Sequence, residues 1–443
     1  MSRSSLLVAA VVVVVVTGLV AATATDARGG GHPRGLDPSP RGVAVPGAPG
    51  GVADAGGDDV TADPDRPATT PDGVRVGVIG SAFGDVAAID DRVDARYRVD
   101  TDRRLGIPGI GRPRGDHDAA VARVVAERTD GASLYLAAVG AEPTPEQYER
   151  AVRRLVAADV DVIVDAGSYY PRTADGAARI ADAAEYATDS GVVVVTSGGN
   201  TARRHWRGAA DEPGWLAFDA DGAEGNRLGE GPVSGGVTLR LYWAGSADYD
   251  LYLYRDTPGE DDPVVARSTR DAGTAEAIDA SLPRGDYYVA VYARDPGGGG
   301  RVDLFAARHR LAHATPADGA RPASSTPGVV SVGAVEDGAV ADYSPTDTDV
   351  RGPGTVRLDD GTTLSGTSAA APAVAGVAVE MTAAVDDGGL TPAAVERLLR
   401  ATADAEGVNR DAAVAAAAYH DRIRSVGDRN ATRPDDANAP AGP

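Results

Sequence analysis

From residue 74 onward, short apolar runs alternate with stretches whose apolar residues fall at helical spacing. The runs are Val74 to Ile79 (VRVGVI), Ser133 to Ala138 (SLYLAA), Val160 to Val164, Val192 to Val195 and Thr326 to Val335. Short, mostly rich in β-branched side chains and bounded by glycine or polar residues, they read as strands buried on both faces. Between them, Ala120, Val121, Val124 and Val125 mark one helical face, and Tyr148, Ala151, Val152 and Leu155 mark another. Thr144-Pro145-Glu146-Gln147 supplies an N-cap, a proline at the first helical position and a glutamine at the third. Further helices are predicted over Ala174 to Thr188 and after Thr391-Pro392. Such alternation predicts an α/β fold on a doubly wound parallel sheet, whose sites lie at the carboxyl ends of the strands.

The alternation stops between 201 and 318. Gly236 to Trp243, Asp248 to Tyr254, Val264 to Ser268 and Asp286 to Ala293 instead show period-two patterning with many tyrosines, separated by turn residues. A small inserted β-sandwich is expected here, its tyrosines packing the sheets. It divides the α/β domain into 73–200 and 319–426.

Composition narrows the chemistry. Cysteine is absent from the 443 residues, which excludes disulfides, a thiol nucleophile and Cys-ligated zinc. Acidic residues number 65 against 43 basic, the net charge is −22, and lysine is absent. No nucleic-acid partner is expected of so acidic a chain, whose composition is that of a salt-loving prokaryotic protein. Residues 1–27 join Arg3, an apolar run and Ala22-Thr23-Ala24, and are read as a secretory signal or, alternatively, an uncleaved membrane anchor. Either one places the bulk of the chain outside the cell. Residues 28–72 read as a flexible linker with no folded pro-segment, and 427–443 as a disordered tail.

The stretch Leu364 to Met381, LSGTSAAAPAVAGVAVEM, runs a Gly-Thr-Ser turn into a small-residue helix. Ser368 is thereby placed at a helix N-terminus, where unpaired N–H groups and the dipole favour developing negative charge. The motif G-T-S-A-A-A-P-x-V-A-G resembles the nucleophile signature of the subtilisin-like serine proteases. GDHDAAVA, from Gly115, is similar to that family's H-G-T-x-V-A block, and SGGN, ending at Asn200, to its A-G-N block. The resemblance implies Ser368 as nucleophile, His117 as general base and Asn200 as oxyanion donor. It also implies a protein or peptide substrate and no cofactor for the chemistry.

One position departs from the pattern. The family's aspartate ends the first strand, where this chain has Gly80. Asp116 and Asp118 flank His117, but neighbouring side chains on a helix diverge, so neither is expected to reach the imidazole. Asp85 is the better substitute, and restoring a carboxylate by Gly80→Asp is expected to raise the rate. Two readings follow: a secreted serine endopeptidase with a degenerate triad, or a pseudoprotease kept as an extracellular binding module. Asp219, Asp221, Asp248 and Asp250 are candidate calcium ligands, though a solvated acidic surface explains them equally well.

Overall fold

The computed structural model describes residues 73–99, 115–271, 273–317, 326, 328–385 and 390–431, those from 422 onward by backbone alone. The first half of the chain gives β1 (Arg75–Gly80), β2 (Val93–Arg98), α1 (Gly115–Arg128), β3 (Ser133–Ala138) and α2 (Pro145–Val156). Then come β4 (Val162–Asp165), α3 (Ala174–Asp189) and β5 (Val193–Ser197). After the insertion follow β15 (Val329–Glu336), β16 (Ala339–Val340), β17 (Val350–Pro353), β18 (Thr355–Arg357) and β19 (Thr363–Ser365). The helices α4 (Thr367–Ala383), α5 (Pro392–Thr402) and α6 (Arg410–Ala431) close the described chain.

The main sheet has the order β16-β15-β5-β4-β1-β3-β2, with β17 on β15 and only β16 antiparallel. Its two faces explain the uninterrupted apolar runs. Val76, Val78, Val164 and Val195 pack with α1 and α4, while Ile79, Ile163 and Val194 pack with α2 and α3. Helix α4 is buried along most of its length, and its alanines and Gly376 let neighbours come close: a Cβ on Gly376 would lie 2.9 Å from Arg128 Cβ. At α2 both arms of the expected capping box form, Thr144 Oγ1 accepting from Gln147 N–H and Gln147 Oε1 from Thr144 N–H.

Between β5 and β15 lie β6 (His205–Ala209), β7 (Gly214–Trp215), β8 (Asn226–Arg227), β9 (Val233–Trp243) and β10 (Asp248–Arg255). They are followed by β11 (Val264–Ser268), β12 (Ala275–Gly285), β13 (Tyr287–Asp295) and β14 (Arg301–Ala306). Two antiparallel sheets result, β11-β10-β13-β7 with β8 on β13, and β12-β9-β14-β6. Leu239, Leu241, Leu251, Leu253, Val289 and Leu304 share one core between them. Strand β12 escapes sequence reading because a charge sits inside it: Glu276 is fully buried, accepting from Ser268 Oγ and from Arg270 N–H at 2.7 Å.

The helix α6 corrects one boundary. Residues 427–431, read as the start of a disordered tail, continue a helix whose alanine-rich body outweighs a single glycine worth about 1 kcal/mol. The predicted signal or anchor, the linker and residues 432–443 lie outside the described residues. Among the described residues, no helix is long and apolar enough to cross a membrane.

Candidate active site

Strands β1, β4 and β5 are neighbours; Gly80 ends β1 and Asn200 follows β5, while His117 and Ser368 stand at the starts of α1 and α4. His117 stands in the first turn of α1, which the loop after β1 grips directly, Gly84 N–H donating to Gly115 O at 2.8 Å. The His117 ring does reach a carboxylate. Nδ1 lies 2.8 Å from Asp118 Oδ1; a carboxylate only accepts, so the neutral ring that suits this contact is the tautomer with its proton on Nδ1 and its lone pair on Nε2. Asp118 Oδ2 accepts from Ser81 N–H at 2.6 Å, Ser81 Oγ at 2.7 Å and Ala82 N–H at 3.1 Å.

That contact overturns the expectation for Asp118. Divergence of adjacent side chains holds for atoms far out from the helix. Nδ1 is near its own backbone, and the Asp118 carboxylate is drawn back over the helix start by the donors of residues 81 and 82. Gly80 lies beneath it: a Cβ there would meet Asp118 Cβ at 2.8 Å and Cγ at 2.9 Å. Asp85, the substitute expected from sequence, instead caps its own turn, accepting from Ala87 N–H at 2.9 Å.

Ser368 occupies the second position of α4, after Gly366, whose φ of 98° is a left-handed conformation that favours glycine. Its hydroxyl donates to Ala166 O at 3.1 Å, and no hydrogen bond joins it to His117. Asn200 Oδ1 accepts from Thr367 N–H at 3.1 Å and Thr367 Oγ1 at 3.0 Å, tying the end of β5 to the nucleophile turn. The amide nitrogen lies against Gly366, where a Cβ would come within 2.8 Å of it. Ile79 pairs with Asp165 in the parallel register of β1 and β4, so Gly80, the last residue of β1, and Ala166, the residue after β4, follow paired positions of adjacent strands. Neighbouring strands stand about 5 Å apart, and α1 packs beside α4.

The segment beginning Asp165-Ala166-Gly167-Ser168, where the resemblance to the subtilisin-like proteases implies the substrate-binding wall, is built around a buried acid. Asp165 is fully buried and accepts from Tyr148 Oη at 3.1 Å, Gly167 N–H at 2.8 Å and Tyr169 Oη at 3.1 Å. Farther along, the two-sheet insertion clamps the same segment. Arg240 donates to Tyr170 O at 2.8 Å and to both oxygens of Asp279 at 3.0 and 3.1 Å, and Tyr242 Oη donates to Pro171 O at 2.5 Å. Burial pulls the Arg240 pKa down to about 10, leaving it a cation at neutral pH, and pushes the Tyr242 phenol up.

Two of the four acidic residues considered for calcium, Asp219 and Asp250, are engaged by protein donors. Asp219 accepts from Asp221 and Ala223 N–H, and Asp250 from Arg294 Nε at 2.7 Å and Tyr252 Oη at 3.0 Å. Among the described residues no group of three or more potential ligands gathers. His205 is structural, its ring buried between Asp303 and the Thr315 carbonyl.

Residues 314–421 match the Subtilase family, a span that includes Ser368 but neither His117 nor Asn200. Among solved structures, the CspB protease of Clostridium perfringens aligns with a TM-score of 0.51 at 14% identity, over 76% of this chain and 89% of its own. The fold is subtilisin-like. A cold-adapted subtilisin-like serine proteinase aligns at 15% identity over 78% of this chain and 88% of its own, with a TM-score of 0.42. No curated protein matches the chain. The Subtilase match over residues 314–421 supports a serine peptidase, and the solved structures show the fold alone.

Proposed function

We propose that the protein is a secreted serine endopeptidase that cleaves peptide bonds through an acyl-enzyme on Ser368. The observation that carries this reading is that Gly80 and Ala166 follow paired positions of neighbouring strands: Gly80 lies beneath the partner of His117, and Ala166, the residue after β4, accepts from the Ser368 hydroxyl. Rotation of Ser368 about χ1 releases Ala166 O and turns Oγ toward the imidazole, a contact that in free enzymes often forms only with substrate. His117 Nε2 then takes the hydroxyl proton as Oγ attacks the carbonyl carbon. The oxyanion is met by Asn200 Nδ2 and the N–H groups of the first turn of α4. The same proton passes to the leaving amine, and a water activated by His117 hydrolyses the ester.

A pseudoprotease serving as an extracellular binding module is the second reading, favoured by the absence of a hydrogen bond between His117 and Ser368. A fluorophosphonate probe in molar salt separates the two. Labelling of wild type but not of Ser368→Ala is expected; an unlabelled wild type leaves only the binding module.

A further inference from the structure

We propose that Asp118 is the positioning carboxylate of this site, supplied from the helix beside His117 instead of from the strand end, and that Gly80 is glycine because Asp118 fills the space above it. This deepens the peptidase reading and rests on it.

The arrangement meets each requirement of such a group. It contacts the ring nitrogen that must carry the proton, Nδ1, leaving Nε2 as the base. It is fixed, since two backbone N–H groups and one hydroxyl converge on Oδ2 while Oδ1 is left for the imidazole. It is sheltered, Asp118 being 7% exposed while His117 is partly exposed. The other acids on the neighbouring segments do not compete: Asp85 caps its own turn, and Asp116 is exposed. The strongest sign is steric. Gly80 has no left-handed φ that would require glycine, yet a Cβ on it would lie 2.8 Å from Asp118 Cβ, under any real contact between such atoms. Side chains at 80 and 118 exclude each other, so the missing aspartate and the extra one describe a single exchange of position.

Given fluorophosphonate labelling of the wild type, Asp118→Asn in the full chain is expected to lower kcat by about 10⁴. It is also expected to move the acid limb of the kcat/KM profile to lower pH, because losing a neighbouring negative charge disfavours the imidazolium. A purely structural role leaves that limb in place. Gly80→Asp alone is expected to reduce the rate by displacing Asp118, the reverse of the outcome expected from sequence. Combined with Asp118→Gly it is expected to recover about tenfold or more over Asp118→Gly alone. A wild type that labels, together with an Asp118→Asn variant within about threefold of its rate and an unmoved acid limb, overturns the proposal while sparing the peptidase reading. A double variant no better than Asp118→Gly overturns the exchange with Gly80. Should Asp118→Asn fail to fold, nitrogen-15 histidine spectra of the wild type decide: neutral His117 protonated at Nδ1 supports the assignment, and protonation at Nε2 refutes it.

Discussion

Replacing Arg240 by methionine tests whether the insertion holds the segment that follows β4. The side chain is buried on β9, and its guanidinium spans Tyr170 O in the segment after β4 and the Asp279 carboxylate on β12. Methionine keeps the volume of the stem and removes every donor. Asp279 retains Arg172, so its charge is not orphaned. The main losses are the bond to Tyr170 O and the paired bonds to Asp279, each about 1.5–3 kcal/mol for a charged donor; the bonds to Leu239 O and Ile278 O go with them. Part of that is offset, because the burial that draws Arg240 to a pKa of about 10 represents a desolvation penalty of about 3 kcal/mol, which the variant no longer bears. Summed over the three bonds and less that offset, the net loss is about 1.5–6 kcal/mol, or roughly 1–3 M in urea midpoint. Trp206, Trp215 and Trp243 all lie in the insertion, so tryptophan fluorescence follows that unit while peptide hydrolysis follows the α/β domain. The expected result is a lowered fluorescence midpoint together with a KM raised about tenfold and a kcat changed less. Lysine does not rescue, since one ammonium cannot bridge the carbonyl and both carboxylate oxygens. An unchanged midpoint with an unchanged KM refutes the clamp.

Two further outcomes are expected. Asn200→Asp keeps the acceptor that Thr367 needs but removes the amide donor; kcat should fall about 10²–10³ with the fold unaltered, and a rate close to wild type would remove Asn200 from the oxyanion site. Asp303 is pushed up by burial, but bonds from His205 and Arg207 outweigh this and leave its pKa below the ordinary carboxylate value. Its stabilisation is therefore full above the unfolded pKa of about 4 and is lost as pH falls through the lower folded value. Urea midpoints of the insertion should drop on acidification below about pH 4, and Asp303→Asn should flatten that drop; parallel curves for the two proteins would discount the His205-Asp303-Arg207 cluster.

Local pattern was enough to place β1, β3, β4, β5 and β15, because strands buried on both faces must be apolar at successive positions and cannot be mistaken for polar loop. The cap of α2 was equally legible, since Thr144, Pro145 and Gln147 act on backbone groups within three residues of themselves. The Gly-Thr-Ser turn placed Ser368 at a helix start for the same reason. Strand β12 was not legible, its buried acid being satisfied by Ser268 and Arg270, eight and six residues earlier, only once the chain turns back on itself. The role of Asp118 was hidden for a related cause. Its neighbour in sequence is His117, but what turns its carboxylate toward the ring is the loop 81–82 and the empty space above Gly80, both about 37 residues away. Short-range rules fix what a residue does to its own turn; which groups share a space is decided only when distant strands come into register.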